Sequence, residues 1–287
     1  MARSLPRVRN SIAGSVNTEA AIGRYVDLGV AGRSYLVTGG SQGVGREIVR
    51  LLLAEGARVA ALARDKARLE ELRRSLPAGQ EQRFAAWSAD VRDAQAMSET
   101  VGAVTAAFGG LDGVVASAGA GAAGGVLNTP YAVWQEQFEI KIGGTLHAVL
   151  PAVPALTRSG AGSILLINGV TAHAPEPGMA AVSSLRAALA NLVRTLATEL
   201  GPAGVRVNAI NLGMIMTERQ SARYAASGTS NTLAQWCAEE VSRRGVLLGR
   251  PGRPEEVAPV AALLLSPRCS YVTGTSIDVS GGSGGRT

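Results

Sequence analysis

The most informative segment of the chain is Tyr35-Leu36-Val37-Thr38-Gly39-Gly40-Ser41-Gln42-Gly43-Val44-Gly45, in which a short apolar run enters a glycine-rich turn. A helical pattern of apolar residues follows the turn directly. Strand, glycine turn and helix in this order are typical of the cradle that binds a dinucleotide pyrophosphate, and an ordinary glycine turn is the alternative. Gly39 permits a sharp turn, Gly43 leaves room for phosphate, and Gly45 lets the helix pack on the strand. The N-terminus of that helix offers free N–H groups to the phosphate.

Outward from this turn, apolar runs of strand length alternate with helical patterns. Further strands are predicted at residues 58–62, 83–88, 113–117, 162–168, 205–210 and 275–279. Helices are predicted at residues 65–75, 94–108, 130–156, 180–200 and 254–265. The alternation predicts an α/β fold of the Rossmann type, a doubly wound, seven-stranded parallel sheet with helices on both faces. Right-handed crossovers then place a cofactor at the carboxyl ends of the strands.

The domain organisation follows from the same pattern. Neither a linker nor an internal repeat interrupts it, so residues 31–287 are predicted to form one domain after an N-terminal arm of residues 1–30. The arm is expected to be flexible or to pack on a partner subunit, although its arginines and serines also resemble a transit peptide. The least regular stretch, 214–249, carries Tyr224, Trp236 and Cys237. It is predicted to close over the substrate as a lid, with a structural helical hairpin as the alternative.

Composition limits the other classes of function. No apolar stretch approaches the length of a membrane span, so no membrane association is expected. The net charge of +6 comes mostly from arginine, without a dense basic run interleaved with aromatics, so nucleic-acid binding is not expected. Part of that charge could steer an anionic cofactor. The two cysteines, Cys237 and Cys269, lack a disulfide framework, which favours a reducing, cytoplasmic compartment over a disulfide between them. No metal site is predicted.

The end of the second predicted strand bears on the choice of cofactor. In dinucleotide folds, the residue about 20 positions after the glycines meets the adenosine ribose, and an acid there selects NAD. This chain has Ala63 and then Arg64, whose guanidinium fork suits a 2′-phosphate. The sequence therefore predicts NADP(H), with a surface arginine capping the strand end as the alternative. Asp90, after the third strand, is predicted to accept from the adenine amino group or to cap the next helix.

Together these motifs resemble those of the short-chain dehydrogenase/reductase family over residues 31–283. The family's Thr-Gly-x-x-x-Gly-x-Gly turn, the end of its Asn-Asn-Ala-Gly strand and its C-terminal signature at residues 252–258 and 271–274 all have counterparts here. With Arg64, the resemblance implies a cofactor-binding set of Gly39, Ser41, Gln42, Gly43, Val44, Gly45, Arg64, Asp90, Val91, Ala118, Gly119, Arg186, Gly213, Ile215 and Thr217. It also implies a small-molecule substrate and assembly as a homodimer or homotetramer.

The resemblance fails at the catalytic positions. The family's chemistry uses Asn, Ser, Tyr and Lys, and alignment by neighbouring residues places Lys141, Gly169, Val182 and Arg186 at those positions. In the family, the tyrosine exchanges the substrate proton, and the lysine lowers the tyrosine pKa and holds the nicotinamide ribose. No tyrosine lies near Val182, so a one-residue alignment error would not restore it. Loss of such an acid typically costs about 10²- to 10⁴-fold in rate.

Three interpretations of this mismatch stay open. The first is an atypical NADP(H)-dependent reductase of a carbonyl on a small, for example polyketide-like, substrate, with His173, Arg186, Lys141 and Thr171 as the catalytic candidates. The second is a cyclase, dehydratase or isomerase, in which Arg186, Lys141 and His173 stabilise an enolate or carboxylate. The third is a catalytically silent subunit that binds NADPH and stabilises an active partner. His147, in an apolar helix, is predicted to be structural.

Overall fold

The sheet has seven parallel strands, as predicted, in a computed structural model that describes residues 27–284. Most of the predicted N-terminal arm lies outside the described residues. The strands are β1 (Ser34–Thr38), β2 (Arg58–Ala63), β3 (Phe84–Ser88), β4 (Gly113–Ala116), β5 (Ser163–Gly169), β6 (Arg206–Leu212) and β7 (Ser276–Val279). Their order in the sheet is β3-β2-β1-β4-β5-β6-β7. Because β1 lies between β2 and β4, the chain reverses direction across the sheet at the tip of β1, where such folds bind ligands.

Helices connect the strands and cover the two faces. They are α1 (Gly43–Ala54), α2 (Lys66–Arg74), α3 (Ala94–Phe108), α4 (Tyr131–Phe138), α5 (Gly144–Val149), α6 (Val153–Ser159), α7 (Ala180–Leu200), α8 (Glu218–Ala226), α9 (Leu233–Arg243) and α10 (Pro254–Leu265). A π-helical turn, Glu139–Gly143, joins α4 to α5, and a 3₁₀ turn, Leu150–Ala152, joins α5 to α6. The predicted bounds of α3, α7 and α10 are confirmed.

Two apolar clusters pack on opposite faces of the sheet, as the pleat of a parallel strand requires. On β1, Tyr35 and Val37 pack on the side of α1 and α10, whereas Leu36 faces the side of α3 and α7. All three side chains are fully buried. The alternation fixes the register of β1 and thereby the position of the glycine turn at its carboxyl end.

The helical run from α4 to α6 corrects one expectation. Residues Tyr131–Ser159 form a continuous stretch that is long and apolar enough, by length and composition, to cross a membrane. Half of its most apolar window is buried inside the protein, where α5 contacts α3 and α4 contacts α7. A core helix of an α/β sheet meets the same criterion, so its length carries no further conclusion.

The stretch predicted as a lid contains α8 and α9, packed on a small core of their own. Met214, Trp236, Val241 and Val246 are buried there, with the Tyr224 ring 5.8 Å from that of Trp236. The segment is thus a helical hairpin in form, and its first residues reach the carboxyl end of β6. Whether it moves as a lid stays a prediction.

Candidate active site

The glycine turn has the conformation that its sequence predicts. Gly39 and Gly43 have positive φ values of 66° and 54°, which residues with side chains rarely adopt. A Cβ on Gly39 would lie 2.9 Å from the Cα of Ala118, so β1 and β4 approach too closely for any other residue. The Thr38 hydroxyl accepts hydrogen bonds from the N–H groups of Ser117 (3.2 Å) and Ala118 (3.3 Å), which ties the two strand tips together.

A cavity of about 500 Å³ opens at the carboxyl ends of β1, β2, β4, β5 and β6. All the residues predicted to bind the cofactor line it: Gly39, Ser41, Gln42, Gly43, Val44, Gly45, Arg64, Asp90, Val91, Ala118, Gly119, Arg186, Gly213, Ile215 and Thr217. Within the described chain, no side chain caps the N-terminus of α1, so its first N–H groups remain available to a phosphate. The cavity therefore fits an extended dinucleotide with its pyrophosphate on α1.

One end of the cavity carries the groups expected around adenosine. Arg64 is exposed at the tip of β2, with its guanidinium 3.9 Å from the Asp90 carboxylate. Arg92 binds the same carboxylate at 2.7 Å, and this hydrogen bond is the main cause that lowers the pKa of Asp90. Asp93 caps α3, so the prediction that Asp90 caps this helix is wrong, and Asp90 instead accepts a hydrogen bond from the backbone N–H of Arg92. Arg68, one helical turn after Arg64, also lines this end and was missed from the sequence.

At the other end of the cavity lies Lys141, which the sequence predicts at the position of the family's asparagine. Its side chain is 7% exposed and lies in the π-helical turn, a feature often found at functional sites. Burial, followed by the charges of Arg186 and Arg219, lowers the pKa of Lys141 to about 7. At neutral pH this amine is therefore close to the midpoint of its titration, and a pKa near the working pH is the most efficient one for proton transfer.

The conformation of Arg186 depends on the glycine at residue 169. A Cβ on Gly169 would lie 2.6 Å from Cζ of Arg186, so the guanidinium fills the space that a side chain at residue 169 would need. Arg186 donates a hydrogen bond of 2.8 Å to the Thr171 hydroxyl. Burial is the main cause that lowers the pKa of Arg186 to about 10, which leaves it charged at neutral pH. Val182, which the sequence predicts at the tyrosine position, is fully buried and lines neither this cavity nor its neighbour.

The two histidines lie away from the cavity. His173 Nε2 is 3.3 Å from the Asp278 carboxylate of β7, and His173 lines neither cavity. This corrects the prediction that groups His173 with Lys141 and Arg186, because the turn after β5 directs its ring toward the edge strand. His147 forms a 2.8 Å hydrogen bond through Nδ1 with the backbone carbonyl of Val91, which fits its predicted structural role.

A second cavity, of about 220 Å³, adjoins the first. The two share Arg186, Leu212 and Gly213, and the second extends along the loop that contains Thr171 to the end of the predicted lid. Its acid, Glu176, binds Arg243 at 2.6 Å and Arg244 at 2.7 Å, which fastens α9 to that loop. Thr171 lines this cavity and holds Arg186 rather than facing the first cavity.

Arg219, on α8, is a site residue that the sequence did not reveal. It lines the first cavity, and its Nη2 donates a 2.7 Å hydrogen bond to the carbonyl of Gly119. Its position depends on how α8 folds back over the loop after β4, a tertiary arrangement without a local sequence signal. Arg219 is exposed to solvent, and the protein atoms around its guanidinium lower its pKa by partial desolvation.

Comparison with known proteins gives consistent matches. A family model described as enoyl-(acyl carrier protein) reductase matches residues 39–284. The chain is 30% identical to 2-(S)-hydroxypropyl-CoM dehydrogenase 3 of Xanthobacter autotrophicus, over 86% of this chain and 94% of that protein.

Two solved structures are also similar. One is the NADPH-bound short chain oxidoreductase from Pseudomonas aeruginosa PAO1 containing an atypical catalytic center, with 37% identity, a TM-score of 0.80, and 87% and 96% of the two chains covered. The other is L-sorbose reductase from Gluconobacter frateurii complexed with NADPH and L-sorbose, with 28% identity, a TM-score of 0.86, and 91% and 100% covered.

Proposed function

Because the chain belongs to the short-chain dehydrogenase/reductase family, we propose that it is an NADPH-dependent reductase of a carbonyl on a small substrate, with Lys141 as the proton donor. The observation that carries this proposal is a buried lysine whose pKa is lowered to about 7, in the cavity that fits the cofactor.

The NADP(H) prediction is confirmed by neighbours of this fold that bind NADPH. Arg64 and Arg68 supply the cationic groups that a 2′-phosphate needs, and the free N–H groups of α1 suit the pyrophosphate. When bound, NADPH supplies a hydride to the carbonyl carbon.

Lys141 completes the reduction on the side of the carbonyl oxygen. As that oxygen gains negative charge, the Lys141 ammonium donates a proton to it, so carbonyl, hydride and proton together give an alcohol. Solvent then reprotonates the neutral amine. Arg186 stays charged at neutral pH and cannot act as a tunable acid, but it holds polar groups beside the reacting centre while Thr171 fixes its orientation.

The open cavity, lined by Lys141 and Arg186, suits a reductase, and it equally suits a catalytically silent subunit that binds NADPH. Turnover by the wild type separates these two interpretations. A non-redox reaction is the second candidate, since the cationic groups at this end of the cavity also suit an enolate.

The proposal also covers the cellular compartment and the oligomeric state of the protein. We expect a cytoplasmic protein. We also expect a homodimer or homotetramer, because exposed apolar side chains such as Leu127, Tyr131 and Phe138 lie on and before the long helical run. Light scattering at two protein concentrations tests the assembly.

The test combines binding with turnover. Calorimetry with NADPH and NADH measures cofactor preference, and the absorbance of NADPH at about 340 nm follows reduction of a panel of activated carbonyls. Lys66→Met is the matched control for Lys141→Met, since Lys66 is exposed on α2 and the chain has only these two lysines. We expect Lys141→Met to lower kcat by about 10²- to 10⁴-fold and Lys66→Met to leave it unchanged. Full activity of Lys141→Met, or product without NADPH consumption, would overturn the proposal.

A further inference from the structure

We infer that the substrate is a short oxo acid whose carboxylate binds Arg219, beside the carbonyl that Lys141 protonates. The inference rests on the proposed reductase function and adds the chemical class of its substrate.

The distribution of charge along the first cavity is the first observation. At the adenosine end, cations and acids are paired: Arg64 with Asp90, and Arg68 with Asp65 at 3.3 Å. Glu218, near the glycine turn, is bound by Arg46 at 3.1 Å. At the opposite end, Lys141, Arg186 and Arg219 form no ion pair within 4.0 Å among the described residues.

The three cations also repel one another. The charges of Arg186 and Arg219 both lower the pKa of Lys141, and the charge of Arg219 lowers that of Arg186. Like charges held together without a carboxylate destabilise the protein, unless a bound anion relieves the repulsion. The free N–H groups at the glycine turn suit the cofactor phosphates, so the anion that we infer for these cations is a second one, the carboxylate of the substrate.

The geometry of Arg219 indicates where that anion binds. Only one of its N–H groups has a partner in the described chain, the Gly119 carbonyl at 2.7 Å, which leaves the rest of the fork for a carboxylate. Lys141 lies on the other side of Gly119, with Nζ 3.8 Å from the place of a Cβ on that glycine. A carboxylate on Arg219 therefore brings a nearby carbonyl of the same molecule to Lys141.

The size of the site limits the length of the acid. The second cavity, of about 220 Å³, accepts the remainder of the substrate beyond Arg186. Glu176 faces that cavity and is already bound by Arg243 and Arg244, so the remainder of the substrate meets no free acid there. With the cofactor in the first cavity, a singly charged oxo acid with a small remainder suits the second cavity.

The experiment compares acetoacetate with its methyl ester, which presents the same carbonyl without the charge. Arg219→Gln is the test variant, and Arg223→Gln is its control because Arg223 lies one turn away on α8 and pairs with Glu240 outside the cavity. We expect Arg219→Gln to raise KM for acetoacetate by about 10- to 100-fold while KM for the ester and Kd for NADPH stay within about twofold.

A second readout does not require turnover. Butyrate and butyramide are titrated into the NADPH complex by calorimetry, and butyrate alone is expected to bind, in a manner that depends on Arg219. Such binding, together with no NADPH oxidation by acetoacetate, its methyl ester or the panel of activated carbonyls, would leave the carboxylate site standing and overturn the reductase function. Three results would overturn the inference instead. The first is equal use of acetoacetate and its ester, and the second is absence of butyrate binding. The third is loss of NADPH affinity in Arg219→Gln, which would make Arg219 a cofactor ligand.

Discussion

Replacing Lys141 by methionine exchanges a buried amine for an apolar side chain of similar length. Burial and two neighbouring cations lower the pKa of this amine from 10.5 to about 7. At about 1.36 kcal/mol per pKa unit, the difference corresponds to about 5 kcal/mol by which the folded state disfavours the charged amine. Local relaxation in the folded protein reduces this amount, so we expect Lys141→Met to raise the free energy of unfolding by about 2–5 kcal/mol at pH 7.

The pH dependence separates this effect from better apolar packing. Below pH 7 the folded and unfolded chains both carry the proton, so the wild type bears the full penalty. Between pH 7 and 10.5, the unfolded chain binds the proton and the folded chain does not, so wild-type stability rises with pH. The advantage of Lys141→Met should therefore fall by up to about 1.4 kcal/mol per pH unit over this range.

Urea unfolding at pH 7, 8 and 9 measures the difference in free energy of unfolding between Lys141→Met and the wild type. Lys66→Met, on an exposed helix position, is the control. The control should match the wild type at every pH. The reasoning is refuted if Lys141→Met is no more stable than the wild type at pH 7, or if its advantage is the same at pH 7 and pH 9. Because we also expect Lys141→Met to lose activity, Lys141 would lower the stability of the wild type while it supports catalysis, a trade-off that is common in active sites.

Three further predictions concern the cofactor and the site. Arg64→Ala should raise Kd for NADPH by about 10- to 100-fold and leave Kd for NADH unchanged, because it removes a charged hydrogen bond to the 2′-phosphate; equal changes would contradict this. kcat/KM should fall above an apparent pKa near 7, because Lys141 must be protonated to donate, and Lys141→Arg should abolish that inflection in the pH–rate profile. Gly169→Ser should cost about 1–3 kcal/mol by crowding Arg186, and most of that cost should vanish when Arg186→Lys is added; additive costs in urea unfolding would argue against the contact.

The sequence predicted the parts of the fold that depend on local signals. Both ends of α3 were predicted to the residue, although the sequence indicated Asp90 as the candidate cap; in the structure Asp93 caps the helix and Gly109 ends it in the left-handed conformation. The glycine turn predicted the cofactor site in the same way, because Gly39 and Gly43 adopt positive φ values that other residues rarely adopt.

The parts that depend on tertiary contacts were not predictable. The position of α9 rests on ion pairs from Glu176 to Arg243 and Arg244, which are 67 and 68 residues away in sequence. Arg219 reaches the Gly119 carbonyl from 100 residues away. His173 follows Gly169 closely in sequence, yet the turn between them directs its ring to Asp278. Nearness in sequence was a poor guide wherever a loop sets the direction of a side chain.

The contact between Gly169 and Arg186 couples these two positions. A guanidinium at residue 186 occupies the space that a side chain at residue 169 would need, since a Cβ there lies 2.6–2.9 Å from three of its atoms. Arg186 and Gly169 therefore fit each other as a pair, and neither is suited to transfer a proton at neutral pH. Of the charged groups at this end of the cavity, Lys141 is the one whose pKa is lowered into the neutral range. In the proposed mechanism the proton therefore comes from the π-helical turn, where Arg186, after burial, contributes to lowering the pKa of the donating Lys141.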